Sequence, residues 1–240
     1  MNQGVKQANG DNLFILNPDT LVIEDSLSKL LLFSYQQNHK AIIGPSLISK
    51  LGKIQQSFWG KPTLLNTINS IFHLDYFNYK KNYKNKKIES YLEVDSVSGG
   101  AMFTTSETFK LLNGFNENLF WMEDIDYCIR AKKIRKKILY LPETKIIHYQ
   151  GKSAQHNLKV AISNQLLSKI KFFDIHHSPG TKNILAVAIF IIAIIKSIFF
   201  IILSPFGPVY RNKLSGYLIV VRSILFDFQL LIFPLYDKGK

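Results

Sequence analysis

Blocks of apolar and polar residues alternate along the first three quarters of this chain at the lengths that predict short strands and helices. Apolar runs that end at Gly, Pro, Asn or Asp predict strands at 13–16, 41–43 and 94–103, with a hairpin near 138–149. Helical spacing predicts helices at about 25–38, 107–113 and 123–134. Strands and helices that follow one another in this way predict an α/β fold.

The helix predicted at 107–113 has recognisable ends. Thr104 and Glu107 have the spacing of a capping box, in which each side chain bonds the backbone N–H of the other. Gly114 suits the left-handed residue that ends many helices.

The helix predicted at 123–134 begins with three acids. Glu123, Asp124 and Asp126 come directly after the apolar triplet of Phe120, Trp121 and Met122. A carboxylate between apolar residues and a helix N-terminus is well placed to take a proton from a hydroxyl group. The alternative is that these acids simply offset the helix dipole. Asp126 lies four residues before Arg130, a spacing that predicts an ion pair which orients the motif.

A polar turn, Asn17-Pro18-Asp19-Thr20, follows the strand predicted at 13–16. Ligands of open α/β sheets collect at the carboxyl ends of strands. Pro18 fixes the turn, and Asp19 can then offer oxygens to a divalent cation that bridges a diphosphate. The alternative is an ordinary turn that caps a helix at 21–32.

A third motif runs from 139 to 154 and reads LYLPETKIIHYQGKSA. Two short strands are predicted on either side of Pro142 and Glu143, with His148 at the end of the second and Gly151 and Ser153 after it. Imidazole can complete a mixed carboxylate and imidazole shell around Mn²⁺ or Mg²⁺, although a lone histidine is often structural. Asp19 and His148 both follow predicted strands whose ends should face the same crevice, so we expect their tips to lie within about 10 Å of each other.

In their order along the chain, these motifs resemble the acceptor half of inverting, family 2 glycosyltransferases with a GT-A fold. Among these, the chain is most similar to bacterial rhamnosyltransferases that build O-antigen (lipopolysaccharide) and other surface polysaccharides. The matching motifs are Asn2-x-Gly4, ANGDNLFILNPDT, Gly99-Gly100, Gly114-Phe115-Asn116 and the run aromatic-x-Glu-Asp-x-Asp-Tyr-Cys-x-Arg. The resemblance covers residues 2 to 171 and implies a partial GT-A (Rossmann-like) domain.

The resemblance also implies residue roles. Asp124 would be the catalytic base with Glu123 as second choice, and Asp19 and His148 would bind a divalent metal, Mg²⁺ or Mn²⁺. Donor and acceptor binding would fall to Asn17, Asp95, Gly99, Gly100, Asp126 and Arg130. The implied reaction is the inverting transfer of a hexose, best rhamnose from dTDP-rhamnose, to a lipid-linked saccharide.

The nucleotide-binding half of such an enzyme is not evident. Only 16 residues precede Asn17, whereas one βαβ unit takes roughly 30, and no Gly-rich phosphate loop occurs elsewhere. We expect a truncated enzyme, a remnant, or an enzyme whose other half comes from a separate polypeptide. The alternative function is a non-catalytic membrane-associated subunit.

Composition adds two constraints. Cys128 is the only cysteine, which excludes an internal disulfide and predicts a packing role.

The net charge of +13 is concentrated in two basic clusters. They comprise Lys80, Lys81, Lys84, Lys86 and Lys87, and Lys132, Lys133, Arg135, Lys136 and Lys137. Such clusters can bind nucleic acid, but beside an apolar tail they favour anionic lipid, so we expect no nucleic acid partner.

The tail is apolar from 184 to 203, with only Lys196 and Ser197 as interruptions. Twenty residues cross a hydrocarbon core of about 30 Å, although a buried globular helix is the alternative. A second stretch at 217–236 carries Arg222 and Asp227 and is a poorer span. A single crossing would place basic residues outside, so a helical hairpin or interfacial helices are favoured.

These observations predict two domains. A GT-A-like domain would cover 1–175, and a membrane-associated helical tail would cover 182–240. The polar N-terminus predicts no signal peptide. Because nucleotide sugars are cytosolic, the predicted location is the cytoplasmic face of a bacterial inner membrane.

Overall fold

The computed structural model describes residues 1–23, 25–72, 90–149 and 157–226, and these form two compact units. The first unit takes the described residues within 1–61, 77–116 and 123–150, and the second takes those within 62–76, 117–122 and 151–240. The basic cluster of Lys80 to Lys87, Gly151, Ser153 and the tail beyond 226 lie outside the described residues.

The described residues form eight strands and eight α-helices. The strands are β1 Asn12–Leu16, β2 Thr20–Val22, β3 Ala41–Ile48, β4 Phe58–Trp59, β5 Leu92–Glu93, β6 Ser96–Val97, β7 Ala101–Thr105 and β8 Lys137–His148. The helices are α1 Asn2–Gln7, α2 Ser26–Gln36, α3 Leu64–Ile71, α4 Ser106–Leu111, α5 Glu123–Lys133, α6 Leu158–His176, α7 Pro179–Leu203 and α8 Pro208–Phe226. A 3₁₀ turn, Ser204–Phe206, joins α7 to α8. The predicted fold class, α/β, is confirmed.

The first unit is built on a mixed six-stranded sheet. Five strands follow the order β1-β7-β3-β8-β2, and β5 pairs with the first half of β8. β3 and β8 are parallel, and the other pairs are antiparallel. All eight positions of β3 are buried, which explains why this strand is apolar throughout rather than alternating.

Alternate residues of the sheet face two separate cores. Ile42 packs in a cluster that contains Tyr127 and Cys128 of α5, whereas its neighbour Ile43 packs with Leu30 of α2. Side chains of a strand alternate between faces, so the sheet lies between α5 and α2. Cys128 is fully buried in this core, as its predicted packing role requires.

The hairpin predicted near 138–149 is wrong, because the chain continues as the single strand β8. The register against β3 shifts between Leu141 and Lys145, so the three residues between them form a bulge. Pro142 lacks an N–H and is tolerated in a bulge, and the Thr144 hydroxyl donates to the Leu141 carbonyl at 2.9 Å.

The segment predicted as one strand at 94–103 is divided between β6 and β7. A turn interrupts it, in which the Gly100 N–H donates to Ser98 Oγ at 3.1 Å. β6 pairs with β4 instead of the main sheet.

Two predicted helix starts also differ. Thr105, not Thr104, caps α4 by accepting from the Thr108 N–H at 3.1 Å, and the Thr104 hydroxyl instead contacts Tyr127 Oη at 3.3 Å. Residues Thr20–Val22 form β2, so the alternative of a helix at 21–32 is also wrong. Gly114 adopts φ 69° after α4, as predicted.

The second unit is helical and contains α3, α6, α7 and α8. Within the part of the chain that the structure describes, one helix, Pro179–Phe206, is long and apolar enough to cross a membrane. Gly216 of α8 lies against α6, where an added Cβ would approach the Lys159 carbonyl oxygen to 3.0 Å. α6 groups here with the tail helices, although most of it falls inside the predicted domain 1–175; that boundary stays a prediction.

Candidate active site

The turn after β1 places Asp19 beside the end of β8. The Thr20 N–H and hydroxyl both donate to the Asn17 carbonyl, at 3.2 and 2.6 Å, which closes the turn and starts β2. β2 pairs with β8 so that Thr20 lies opposite His148, and the Tyr149 N–H donates to the Asp19 carbonyl at 2.9 Å. The sheet itself therefore fixes the spacing of Asp19 and His148.

The side chains of Asp19 and His148 converge. Nε2 of His148 lies 3.4 Å from Oδ1 of Asp19, and the two side chains are only 14% and 19% exposed. Two atoms that each bind one ion at about 2.1 Å cannot lie more than about 4.2 Å apart, so this spacing fits two ligands of one cation. Whether they bind a metal stays a prediction.

The described residues contain no group of three or more His, Cys, Asp and Glu that would hold a metal alone. A two-residue site fits cations such as Mg²⁺, which keep several waters and bind through one or two carboxylates together with substrate phosphates. The residues present therefore suit a cation that arrives with a diphosphate.

Backbone contacts connect this turn to the acidic helix. The Asn17 N–H donates to the Gly100 carbonyl at 3.0 Å, and the Gly99 N–H donates to Asp124 Oδ2 at 2.8 Å. A Cβ at Gly99 would lie 3.1 Å from the Asp124 Cβ, so a side chain at that position would press on the carboxylate. Asn17, Gly99, Gly100 and Asp124 thus form one continuous edge of the first unit.

Two backbone donors bond the side chain of Asp124. Its Oδ1 accepts from the Ile125 N–H at 2.8 Å, in addition to the Gly99 bond at Oδ2. Burial raises the pKa of Asp124, and these hydrogen bonds oppose the rise. Burial and the charge of Asp124 raise the pKa of Glu123 to about 8. The two backbone donors favour the ionised form of Asp124, whereas no such pair of donors faces Glu123 among the hydrogen bonds of the described residues.

Asp95 is bonded within the protein. It accepts from the Lys61 N–H at 2.8 Å and pairs with the Lys132 ammonium. Burial is the largest single effect and raises the pKa of Asp95, but the hydrogen bonds from Lys132 and the Lys61 backbone, together with the charges of both lysines, outweigh it, so the pKa is lowered. A role of Asp95 in donor or acceptor binding stays a prediction.

Asp126 and Arg130 form the ion pair that their spacing predicts. Arg130 Nε donates to Asp126 Oδ2 at 2.8 Å, and Asp126 is almost fully buried. The guanidinium also donates to the carbonyls of Leu112 and Gly114. With these bonds the pair holds the loop after α4, which makes a positioning role better supported than the predicted contact with donor or acceptor.

Two contacts of the site were missed by sequence reasoning. Gln55 holds His148, and Lys132 pairs with Asp95. The partners are 93 and 37 positions apart, and neither pair forms a local motif that could have revealed it.

No family model matches the sequence, and no curated protein matches it. Among solved structures, the chain is similar to the crystal structure of GalNAc-T7 with UDP, GalNAc and Mn²⁺, at a TM-score of 0.51 and 14% identity. The match covers 94% of this chain but 42% of GalNAc-T7, so the chain spans less than half of that protein's length. At this identity the likeness shows the fold: the chain has a GT-A-like α/β fold with a long apolar helix near its C-terminus.

Proposed function

We propose that this chain is a glycosyltransferase, or the acceptor half of one, that moves a sugar from a nucleotide donor to an acceptor hydroxyl. The observation that carries the proposal is the continuous edge of the GT-A-like sheet. It joins the Asp19 and His148 pair, through Asn17 and the glycine pair, to the carboxyl group of Asp124.

In this reaction the acceptor oxygen attacks the anomeric carbon as the bond from that carbon to the diphosphate breaks. Asp124 takes the proton of the attacking hydroxyl, because two backbone N–H donors favour its carboxylate form, whereas burial and the charge of Asp124 raise the pKa of Glu123 to about 8. Asp19 and His148 would hold a divalent cation, which supplies positive charge to the departing diphosphate. Gly99 lets the backbone approach Asp124 closely, since a side chain there would press on the proposed base.

The finer proposal concerns substrates. We infer dTDP-rhamnose as donor and a lipid-linked saccharide of O-antigen or similar surface polysaccharide as acceptor. The support is the order of the sequence motifs, which resembles rhamnosyltransferases. A single carboxylate that acts as base in a direct displacement gives inversion at the anomeric carbon.

Equilibrium dialysis of the full chain against labelled dTDP-rhamnose with Mn²⁺ tests the proposal. We expect saturable binding that EDTA removes, because the cation joins the diphosphate to Asp19 and His148. Asp19→Asn should weaken the binding, whereas Asp11→Asn, an exposed aspartate before β1, should leave it unchanged. Absence of binding with Mn²⁺, or equal binding in EDTA, would contradict donor binding by this chain; if the same result held with the nucleotide-binding half supplied, it would contradict the proposal and favour a non-catalytic subunit.

We further propose that the tail anchors the chain at the cytoplasmic face of a bacterial inner membrane. One face of α7 is packed within the second unit, but the opposite face is apolar and more than half exposed. That face comprises Ile184, Val187, Ile191, Ile195, Ile198 and Ile202. Soluble monomers rarely expose apolar patches beyond a few hundred Å², so contact with lipid accounts for this face. Lys196 is exposed and can extend its ammonium to the headgroups.

Deletion of the residues after Gly180 should release the chain into the soluble fraction. Because α7 also packs within its unit, a milder variant, Ile191→Asp with Ile195→Asp, separates anchoring from folding. Each aspartate costs about 2.5 to 3.5 kcal/mol in a membrane-spanning helix. The double variant should therefore no longer sediment with the membrane fraction. Leu51→Asp, at a residue 83% exposed in the first unit, is the matched control and should still sediment. Sedimentation of the double variant with membranes at high salt would exclude α7 as the anchor.

A further inference from the structure

Gln55 holds the histidine of the proposed cation pair from the segment between β3 and β4. Its backbone N–H donates to the Leu47 carbonyl at 2.8 Å, which fixes the segment to the end of β3. Its side chain makes two hydrogen bonds to one residue: Nε2 donates to the His148 carbonyl at 3.0 Å, and Oε1 lies 3.1 Å from His148 Nδ1.

These two contacts determine the orientation of the amide and the tautomer of the imidazole. A carbonyl oxygen only accepts hydrogen bonds, so the amide nitrogen of Gln55 must be the atom that faces the His148 carbonyl. The amide oxygen then faces Nδ1, and because that oxygen also only accepts, Nδ1 must carry the proton. In the neutral imidazole, Nε2 is therefore left with its lone pair.

That lone pair faces a second acceptor. Nε2 lies 3.4 Å from the carboxylate oxygen Oδ1 of Asp19, and both side chains are largely buried. Two acceptors in a partly desolvated site repel each other unless a positive charge lies between or beside them. A divalent cation or a proton on Nε2 supplies that charge.

We propose that Gln55 is a positioning residue that sets the His148 tautomer so that Nε2 faces Asp19 and is ready to bind a divalent cation. This inference depends on the cation binding that is part of the proposed function, but it does not depend on the proposed transfer of a sugar. Metal-binding histidines commonly donate their other ring N–H to an oxygen, which fixes ring and tautomer, and loss of that partner typically lowers metal affinity by about 10 to 100 fold.

Two variants separate the acceptor role of Gln55 from its bulk. Gln55→Leu removes both hydrogen bonds, whereas Gln55→Glu keeps an oxygen that accepts from Nδ1. Gln56→Leu is the matched control, because Gln56 is the next residue, is also half-buried and makes no hydrogen bond to His148 in the described structure.

The first readout is Mn²⁺ affinity of the full chain, measured from the free-ion electron paramagnetic resonance signal with Mn²⁺ alone as probe. We expect Gln55→Leu to weaken binding by about 10 to 100 fold, with Gln55→Glu and Gln56→Leu within a few fold of the parent chain. Equal affinity of Gln55→Leu and the parent chain would overturn the proposal.

The second readout needs no metal. Nitrogen shifts of ¹⁵N-histidine-labelled chain, with His148 assigned from His148→Asn, report which ring nitrogen carries the proton. We expect the Nδ1–H form in the parent chain and in Gln55→Glu, and a shift toward the Nε2–H form in Gln55→Leu. An unchanged tautomer in Gln55→Leu would overturn the positioning role. If the tautomer changes in Gln55→Leu but the parent chain binds no Mn²⁺, Gln55 would still position His148, and the cation binding in the proposed function would be overturned.

Discussion

Asp124→Asn is expected to abolish sugar transfer and to leave the fold intact. The amide preserves the shape of the side chain but cannot take a proton from the acceptor hydroxyl, and a positioned base contributes about 10² to 10⁴ fold to a rate. One of the two backbone bonds, from Gly99 or Ile125, is retained by the amide oxygen. The measurement is kcat in a preparation that transfers sugar, with the nucleotide-binding half supplied where the chain requires it.

Glu123→Gln is the matched control for this prediction. The pKa of Glu123 is raised to about 8, so at pH 7 the side chain is mostly neutral already, and a neutral amide changes its charge little. We expect near-normal transfer by Glu123→Gln at pH 7 and loss of transfer by Asp124→Asn. Near-normal turnover by Asp124→Asn would exclude it as the base and move the assignment to Glu123 or Asp126.

Arg130→Leu is expected to be the most destabilising single change in the site. Asp126 is 1% exposed, and its carboxylate lies 2.7 Å from the Arg130 guanidinium. Removal of one partner of a buried ion pair costs about 3 to 5 kcal/mol. The loop carbonyls of Leu112 and Gly114 lose their donor as well. At about 2 to 4 °C per kcal/mol for a chain of this size, the melting temperature should fall by about 6 to 20 °C.

Thermal unfolding in matched detergent measures this effect. Lys133→Leu, an exposed basic residue on the same helix, should change the melting temperature little. Asp126→Asn combined with Arg130→Leu should lose less stability than the sum of the single variants, since no buried charge is left unpaired. A melting temperature of Arg130→Leu within about 2 °C of the parent chain would contradict the proposed positioning role.

The features that sequence predicted correctly are those that depend on neighbouring residues. β1, the acidic helix α5, the ion pair of Asp126 and Arg130, and the left-handed Gly114 all follow from local spacing and conformational preference. The convergence of Asp19 and His148 was also predicted, from the expected position of both residues at strand ends that face one crevice, with the family resemblance in support.

The features that sequence missed depend on distant partners. β8 was predicted as a hairpin because Pro142 interrupts an apolar run, and only its pairing with β3 shows that the interruption is a bulge. Thr105 replaces Thr104 as the cap because the strand register of β7 places the Thr104 hydroxyl against Tyr127. No local pattern marks Gln55, whose role arises only where the fold places it beside His148.

The most direct test of the central claim, a cation-dependent sugar-transfer site at this edge of the sheet, is anomalous diffraction at the manganese absorption edge. The crystals would contain the full chain with Mn²⁺ and dTDP. We predict one anomalous peak about 2.0 to 2.6 Å from both Asp19 Oδ1 and His148 Nε2, with diphosphate oxygens on its open side. A map at saturating Mn²⁺ whose peaks all lie elsewhere, while Asp19 and His148 remain in direct contact, would contradict the claim.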